Sequence, residues 1–365
     1  MRICRRRMLA CMGVLLTLGC LYGAWRAQGT EAPRLPGSAG RRRVILRVWD
    51  VDGPTGSSAW LRAQCAAFEK ALPGITVYLR SVPAEECLAP DAVLPDVVCF
   101  ADGTFTAPEA LLSPLRGMEA VEERFLQSGR WQGKQYALPL AAEGWVLAVR
   151  EEYLPEPVHT PAPTSLLGRA AASPQPAEEA LPPLDTLRRQ PLPLAARGQG
   201  LFALCAWLGA SPLALPEASM TQEAVLAALT RGEAAAALLT TGQWAKLEET
   251  TAREQRAAYQ PWAPAEMLAP RMLYAGLTAG AQPEAAALLS YLISETAQRE
   301  LAQRFLFSVR ENLALYFASP WAELESAMGR GYPVNAFLPR ERVENAARAV
   351  YLGAAELEVS FAELR

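Results

Sequence analysis

The single histidine of this 365-residue chain, His159, stands among ten prolines between positions 151 and 193. Any Ser–His or Cys–His nucleophile would have to be built on it. No G-x-S-x-G, H-E-x-x-H, phosphate-loop or dinucleotide-loop phrase occurs. The pair Asp50 and Asp52 has the residue types that glycoside hydrolysis requires, but acids in a turn such as Asp50-Val51-Asp52-Gly53-Pro54 are far more often solvated. The seven cysteines fit no zinc spacing. Cys65 and Cys99 fall on apolar faces, as buried free thiols do, and a Cys65–Cys87 disulfide is the alternative. These features argue against an enzyme and against a metal or other cofactor. The chemistry that remains is recognition, in which aromatic faces cover apolar surface and carboxylates accept hydrogen bonds. Trp49, Trp145, Trp244 and Tyr274 are the aromatic candidates, and Asp50, Asp102 and Glu143 the polar ones. Each has a competing reading as a core or turn residue, Tyr274 most easily.

These residues are positioned by an α/β pattern. Val44 to Trp49 reads as a β-branched strand. A helix from Ser58 to Leu72 follows, with Leu61, Cys65, Phe68 and Leu72 on one face, and Pro73-Gly74 stops it. Ile75 to Leu79 alternates as a strand, and Asp96 to Phe100 is a short apolar strand of the buried parallel kind. A helical segment is expected near 108–115. Such sheets bind ligands beyond the carboxyl ends of their strands, where Trp49, Asp50 and Asp102 lie. Gly129 to Arg150 has a turn, a strand from Tyr136 to Leu140, a turn at Ala141 to Gly144, and a second strand from Val146 to Val149. This stretch is expected to leave one lobe and cross into another, with Trp145 at the cleft. Residues 151–193 are too rich in proline for regular structure, except for a short helix near 178–189. Helices at 199–208 and 222–230 and a strand at 235–239 follow, with Trp244 just beyond. A helix is expected from Pro283 to Phe305, and then a mainly helical tail in which Tyr332 to Asn335 forms a loop.

The ends and the charge add context. MRICRRR is followed by 18 uncharged residues, Met8 to Trp25. A basic start and an apolar run are the pattern of an export signal or N-terminal anchor, and the positive flank keeps the N-terminus inside while the body goes outward. Cys20 after Gly19 resembles the lipobox of bacterial lipoproteins, although Thr17 stands where leucine is preferred. Lipidation at Cys20, an uncleaved helix and plain secretion all remain open. Residues 26–43 read as a flexible tether. Of 35 basic side chains four lie in the first 19 positions, leaving 31 against 38 acidic ones, or −7. A mildly acidic body argues against nucleic acid as a partner.

The run from Trp60 to Val82, with Phe68-Glu69-Lys70 and Pro73-Gly74-Ile75-Thr76-Val77, resembles bacterial extracellular solute-binding proteins, the carbohydrate-type binding proteins of ABC transporters. Pro95-Asp96-Val97-Val98 matches a second phrase of that family. Gly129, Gly133 and Tyr136-Ala137-Leu138-Pro139 match a third, Gly232 to Trp244 a fourth, and residues 285–301 the family's long helix. The resemblance covers roughly 44–149 and 199–312. It implies a type II periplasmic-binding-protein-like fold with two α/β lobes, a hinge and an interlobe cleft. One lobe would hold 44–145 plus about 265–310, and the other 146–264 plus about 311–365. It implies a monomer that captures a small solute, a sugar by preference, and delivers it to permease subunits from the outer face of the cytoplasmic membrane. At Arg150-Glu151-Glu152-Tyr153 the chain departs from the family, lacking an asparagine-containing strand end and a tryptophan-led helix. A membrane-tethered scaffold with the same fold is the alternative function, and a secreted glycoside hydrolase the more distant one.

Overall fold

Val44–Val51 (β1) opens a six-stranded mixed sheet. The computed structural model describes residues 43–89, 93–117, 120–150, 199–208, 227, 229, 231, 236–254, 259–264 and 266–365. The signal or anchor segment with Cys20, nearly all of the tether, the proline-rich loop with His159, Gly232 and most of the expected 222–230 helix lie outside the described residues.

β1 pairs in parallel with Ile75–Ser81 (β2) on one side and Val97–Ala101 (β3) on the other. All five residues of β3 are buried, as a strand covered on both faces requires. Ser57–Ala71 (α1) makes the crossover, burying Trp60, Leu61, Cys65 and Phe68. Gly74, at φ 115°, turns the chain into β2. A short helix, Ala84–Cys87 (α2), follows. The helix expected near 108–115 is only a 3-10 turn, Pro108–Ala110, because Leu112–Ser113 (β4) is drawn into the sheet.

Glu123–Ser128 (α3) leads to a hairpin of Arg130–Trp131 (β5) and Lys134–Gln135 (β6). Gln132 and Gly133 both have positive φ, 48° and 77°, the signature of a primed hairpin turn. Gly129 serves differently: a Cβ there would lie 2.0 Å from the Ala137 carbonyl oxygen, so the close approach demands glycine. Leu138–Glu143 (β7) is fully buried and pairs with Arg271–Thr278 (β11). The turn expected at 141–144 is thus strand as far as Glu143, held by its partner. β11 also pairs antiparallel with β3.

Trp145–Arg150 (β8) belongs to a second, three-stranded sheet with Ala236–Thr240 (β9) and Tyr259–Trp262 (β10), both antiparallel to it. Gly200–Leu208 (α4) and Thr241–Glu254 (α5) accompany this sheet. The start of α5 is closed reciprocally, since Gln243 N–H donates to Thr240 Oγ1 at 3.3 Å and Thr240 N–H to Gln243 Oε1 at 3.0 Å. The long helix expected over 283–305 is broken into Pro283–Leu292 (α6), Glu295–Arg299 (α7) and a 3-10 turn, Glu300–Arg304. Ser294 caps the second piece through the Ala297 N–H. The tail is helical at Trp321–Arg330 (α8), Arg340–Tyr351 (α9) and Leu357–Ala362 (α10). The four described cysteines are free and buried, so Cys65 and Cys87 are unbridged.

Candidate functional site

The two sheets meet at Gly144, the one residue between β7 and β8. Its carbonyl accepts the Thr241 N–H at 3.0 Å, which fixes the start of α5 against the crossing. A polar cluster stands on each side of this glycine, and three of the seven sequence-predicted residues, Trp145, Asp102 and Glu143, belong to these clusters.

The first cluster gathers on the carbonyl of Ala269, a residue held at φ 48° in the connection back to β11. Trp145 Nε1–H donates to it at 2.8 Å and Gln199 Nε2–H at 3.3 Å. Gln199 also reaches the Pro270 carbonyl at 3.2 Å. The Trp145 ring is buried, and Gly200 lies so close that a Cβ there would sit 3.2 Å from it. Asp102 is buried beside this connection and accepts the Met272 N–H at 2.9 Å. Burial pushes its carboxyl above the usual range, while the Met272 N–H, Arg271 and Gln199 oppose that shift. The loop after β3 is covered, since Gly103 N–H donates to the Ala336 carbonyl at 2.9 Å. Trp145 and Asp102 are thus both hydrogen-bonded to the segment that returns to β11.

The second cluster gathers on Glu143, whose side chain is fully buried. Its Oε2 accepts Arg271 Nη1–H at 3.1 Å and the Thr55 N–H at 3.3 Å. Its Oε1 has no hydrogen-bond partner and faces the first turn of α5. A Cβ placed on Gly242 would lie 2.9 Å from that oxygen and 2.9 Å from Thr55 Cβ. Nearby, Thr241 Oγ1–H donates to the Phe305 carbonyl at 3.0 Å.

The remaining candidates lie in packed surroundings. Tyr274 is in the core of the first sheet, its ring 5.8 Å from Phe100 and its hydroxyl 2.8 Å from Ser128 Oγ. Its side chain is fully buried. Trp49 is buried to 8% exposure at the end of β1. Asp50 is buried, with Oδ1 unpartnered. Burial raises its carboxyl above the usual range, against a hydrogen bond from Ser58 and the charge of Arg62. Trp244 is buried on α5, and its Nε1–H also lacks a partner.

Sequence reasoning missed an aromatic shelf at the seam. Phe305, 39% exposed, has its ring 5.1 Å from that of Trp321, which stacks on Tyr316 at 5.4 Å. Phe307 meets Tyr316 edge-on. Phe305 adjoins α5 through Thr241, and Arg304 packs on Gly56 of the β1–α1 loop. Tyr316 and Phe307 also line an open hollow of ≈ 610 Å³ with Arg124, Asn312 and Glu325. The available signal was the density of aromatics between 305 and 321, in a region that otherwise reads as generic tail.

No protein-family model and no curated protein matches the chain. Solved structures do. The unliganded and acarbose-bound GacH receptor of Streptomyces glaucescens is 16% identical with a TM-score of 0.55, over 88% of this chain and 96% of that one. A cyclo/maltodextrin-binding protein complexed with maltotetraose is 17% identical with a TM-score of 0.57, over 90% and 97%. At these identities the likeness concerns the fold. The chain has the two-lobed, type II periplasmic-binding-protein-like α/β fold, as the resemblance in the sequence implied.

Proposed function

We propose that the chain is the extracytoplasmic solute-binding component of an ABC importer. It captures a small solute, a carbohydrate by preference, between its lobes and delivers it to permease subunits. The observation that carries this reading is the fold itself, shared over nearly the full length of two sugar-binding proteins. The N-terminal segment would tether it to the outer face of the cytoplasmic membrane, by lipidation at Cys20 or an uncleaved helix, and it would work as a monomer without a cofactor.

Among the seven sequence candidates, Asp50, Glu143 and Trp244 have buried polar atoms that no protein group satisfies. Such atoms are costly unless something completes them, and we assign them as the inner contacts that solute reaches when the lobes part. Trp49 would flank them. Trp145, Asp102 and Tyr274 act through the scaffold. The shelf of Phe305, Tyr316 and Trp321 offers the flat apolar faces that sugar C–H surfaces pack against.

A thermal-shift panel of mono- and oligosaccharides, peptides and polyamines tests this. A true ligand at 100 times its Kd stabilises by about 2.7 kcal/mol. Trp321→Ala is expected to abolish the shift while leaving the unliganded melting point within a few degrees. The scaffold reading is favoured by the close packing of Thr55 on Gly242, where an added Cβ would meet the Thr55 Cβ at 2.9 Å. No shift with any solute class would favour it and overturn transport. Turnover of aryl glycosides would instead establish an enzyme.

A further inference from the structure

β1 and β2 are parallel neighbours, and parallel strands are normally covered on both faces. One face is covered: Leu46 and Val48 are fully buried on the side where α1 packs. The other face is bare at its outer end. Cross-strand partners share a face, and the register pairs Ile45 with Thr76, Arg47 with Tyr78 and Trp49 with Arg80. Of these six only Trp49 is buried. Ile45 is 56% exposed and Tyr78 62%. The Arg47 backbone is fixed to Asp96 by two 2.8 Å hydrogen bonds, while its guanidinium has no ion pair with any described residue. Arg80 lies 2.6 Å from Glu86, an exposed pair that contributes little and that a phosphate can share. Each strand thus presents an apolar or aromatic side chain and, two residues on, a cation.

The chain enters the body at this face. Residues 26–43 separate the apolar run Met8 to Trp25 from Val44, and Ile45 is the second residue of β1. A flexible link of that length spans about 23 Å, close to the radius of gyration of about 20 Å for a body of this size. An anchored body is therefore held beside the bilayer, where a weak surface contact acts as an intramolecular one. A twofold contact with a second copy would set Arg47 and Arg80 against like charge. Acidic phospholipid headgroups supply the opposite charge, and tyrosine is at home at their depth.

We infer that this open face, with Ile45, Arg47, Tyr78 and Arg80, is where the tethered body rests on anionic phospholipid. The inference rests on the membrane-tethered reading and adds an orientation to it. With the sheet face down the strands run along the bilayer, and their carboxyl ends open sideways over its surface. Each arginine at an anionic surface is worth about fivefold in partitioning, and salt weakens the contact.

The test uses the full-length chain reconstituted in vesicles of phosphatidylcholine alone, or of phosphatidylcholine and phosphatidylglycerol in equal parts, each with a nitroxide-headgroup lipid as quencher. A dye is carried on an unnatural residue replacing Thr76 on the open face or Ala66 on α1, both exposed. With phosphatidylglycerol at low salt the dye at 76 is expected to be quenched several-fold more than the dye at 66. The difference should vanish in phosphatidylcholine alone, in high salt, and in Arg47→Glu/Arg80→Glu, whose melting point should stay at the wild-type value. Equal quenching at the two sites, or a difference indifferent to phosphatidylglycerol and to charge reversal, would overturn the inference. Mutual quenching of dyes at 76 in phosphatidylcholine vesicles would place a second copy on this face and also overturn it. Flotation with the vesicles in high salt reads the anchor separately. A chain that does not float overturns the tether and the resting face together, whereas one that floats without protection at 76 overturns the resting face alone.

Discussion

The two polar clusters beside Gly144 differ in how completely they are satisfied. Around Ala269 every named donor has an acceptor, and Trp145 and Gln199 converge on one carbonyl. Around Glu143 one carboxylate oxygen is tied twice and the other not at all. A fully satisfied cluster makes a rigid axle, since any displacement costs hydrogen bonds. A half-satisfied cluster leaves a buried acceptor whose desolvation no protein donor repays. The two clusters are separated along the chain by Gly144 alone.

The comparison is broken most strongly at Trp145. Trp145→Ala removes a buried ring and its hydrogen bond and is expected to cost about 3–5 kcal/mol, read by urea unfolding. Trp145→Phe keeps most of the volume and should lose about 0.5–1.5 kcal/mol, the net worth of one hydrogen bond, because Gln199 still donates to the Ala269 carbonyl. At the other cluster, Arg271→Ala leaves a buried carboxylate with one weak donor. It is expected to cost about 3 kcal/mol, the low end for a broken buried pair because Arg271 is 30% exposed. Adding Glu143→Leu to Arg271→Ala should recover much of that loss, so the double variant is more stable than Arg271→Ala alone. The corresponding double variant of Trp145 and Gln199 should show no such recovery.

The smallest effect is a pH dependence. The folded-state pKa of Asp50 is raised by burial. Between its ordinary carboxylate value and that raised value, the native chain binds more protons than the unfolded one. Its contribution therefore favours the folded state in acid and is lost as pH rises through the raised value. Asp50→Asn should flatten that loss: equal to wild type in acid and more stable at neutral pH, as followed by melting temperature against pH.

Much of the first sheet was legible because its signals are local. Val44 to Trp49 is β-branched, the face of Leu61, Cys65 and Phe68 has helical spacing, and Pro73-Gly74 stops the helix. The misses came where a distant partner decides. Leu112 pairs with Thr278 rather than continuing a helix, and β7 runs on to Glu143 because β11 is there to receive it. The break at Ser294 was written locally, as an N-cap serine, but was overridden by an apolar pattern that continues through it. For the site, the sequence pointed to the ends of β1 and β3 and to the passage from β7 to β8. It could not say which aromatics were spent on packing: Tyr274 lies on the same face pattern as a ligand contact would, and only Phe100 and Ser128 reveal its use. The shelf at Phe305 and Trp321 was hidden for the converse reason, since its position depends on α5 and the β1–α1 loop, both remote in sequence.

The placement of β11 also sets a timetable. It fills the middle of the first sheet between β3 and β7, and Met272 docks on Asp102 across 170 positions of chain. Until residues 271–278 have left the ribosome, β3 has an open edge and the sheet lacks its centre. Long-range pairing of this kind forms slowly. The first sheet therefore stays unclosed until about three-quarters of the chain has been made.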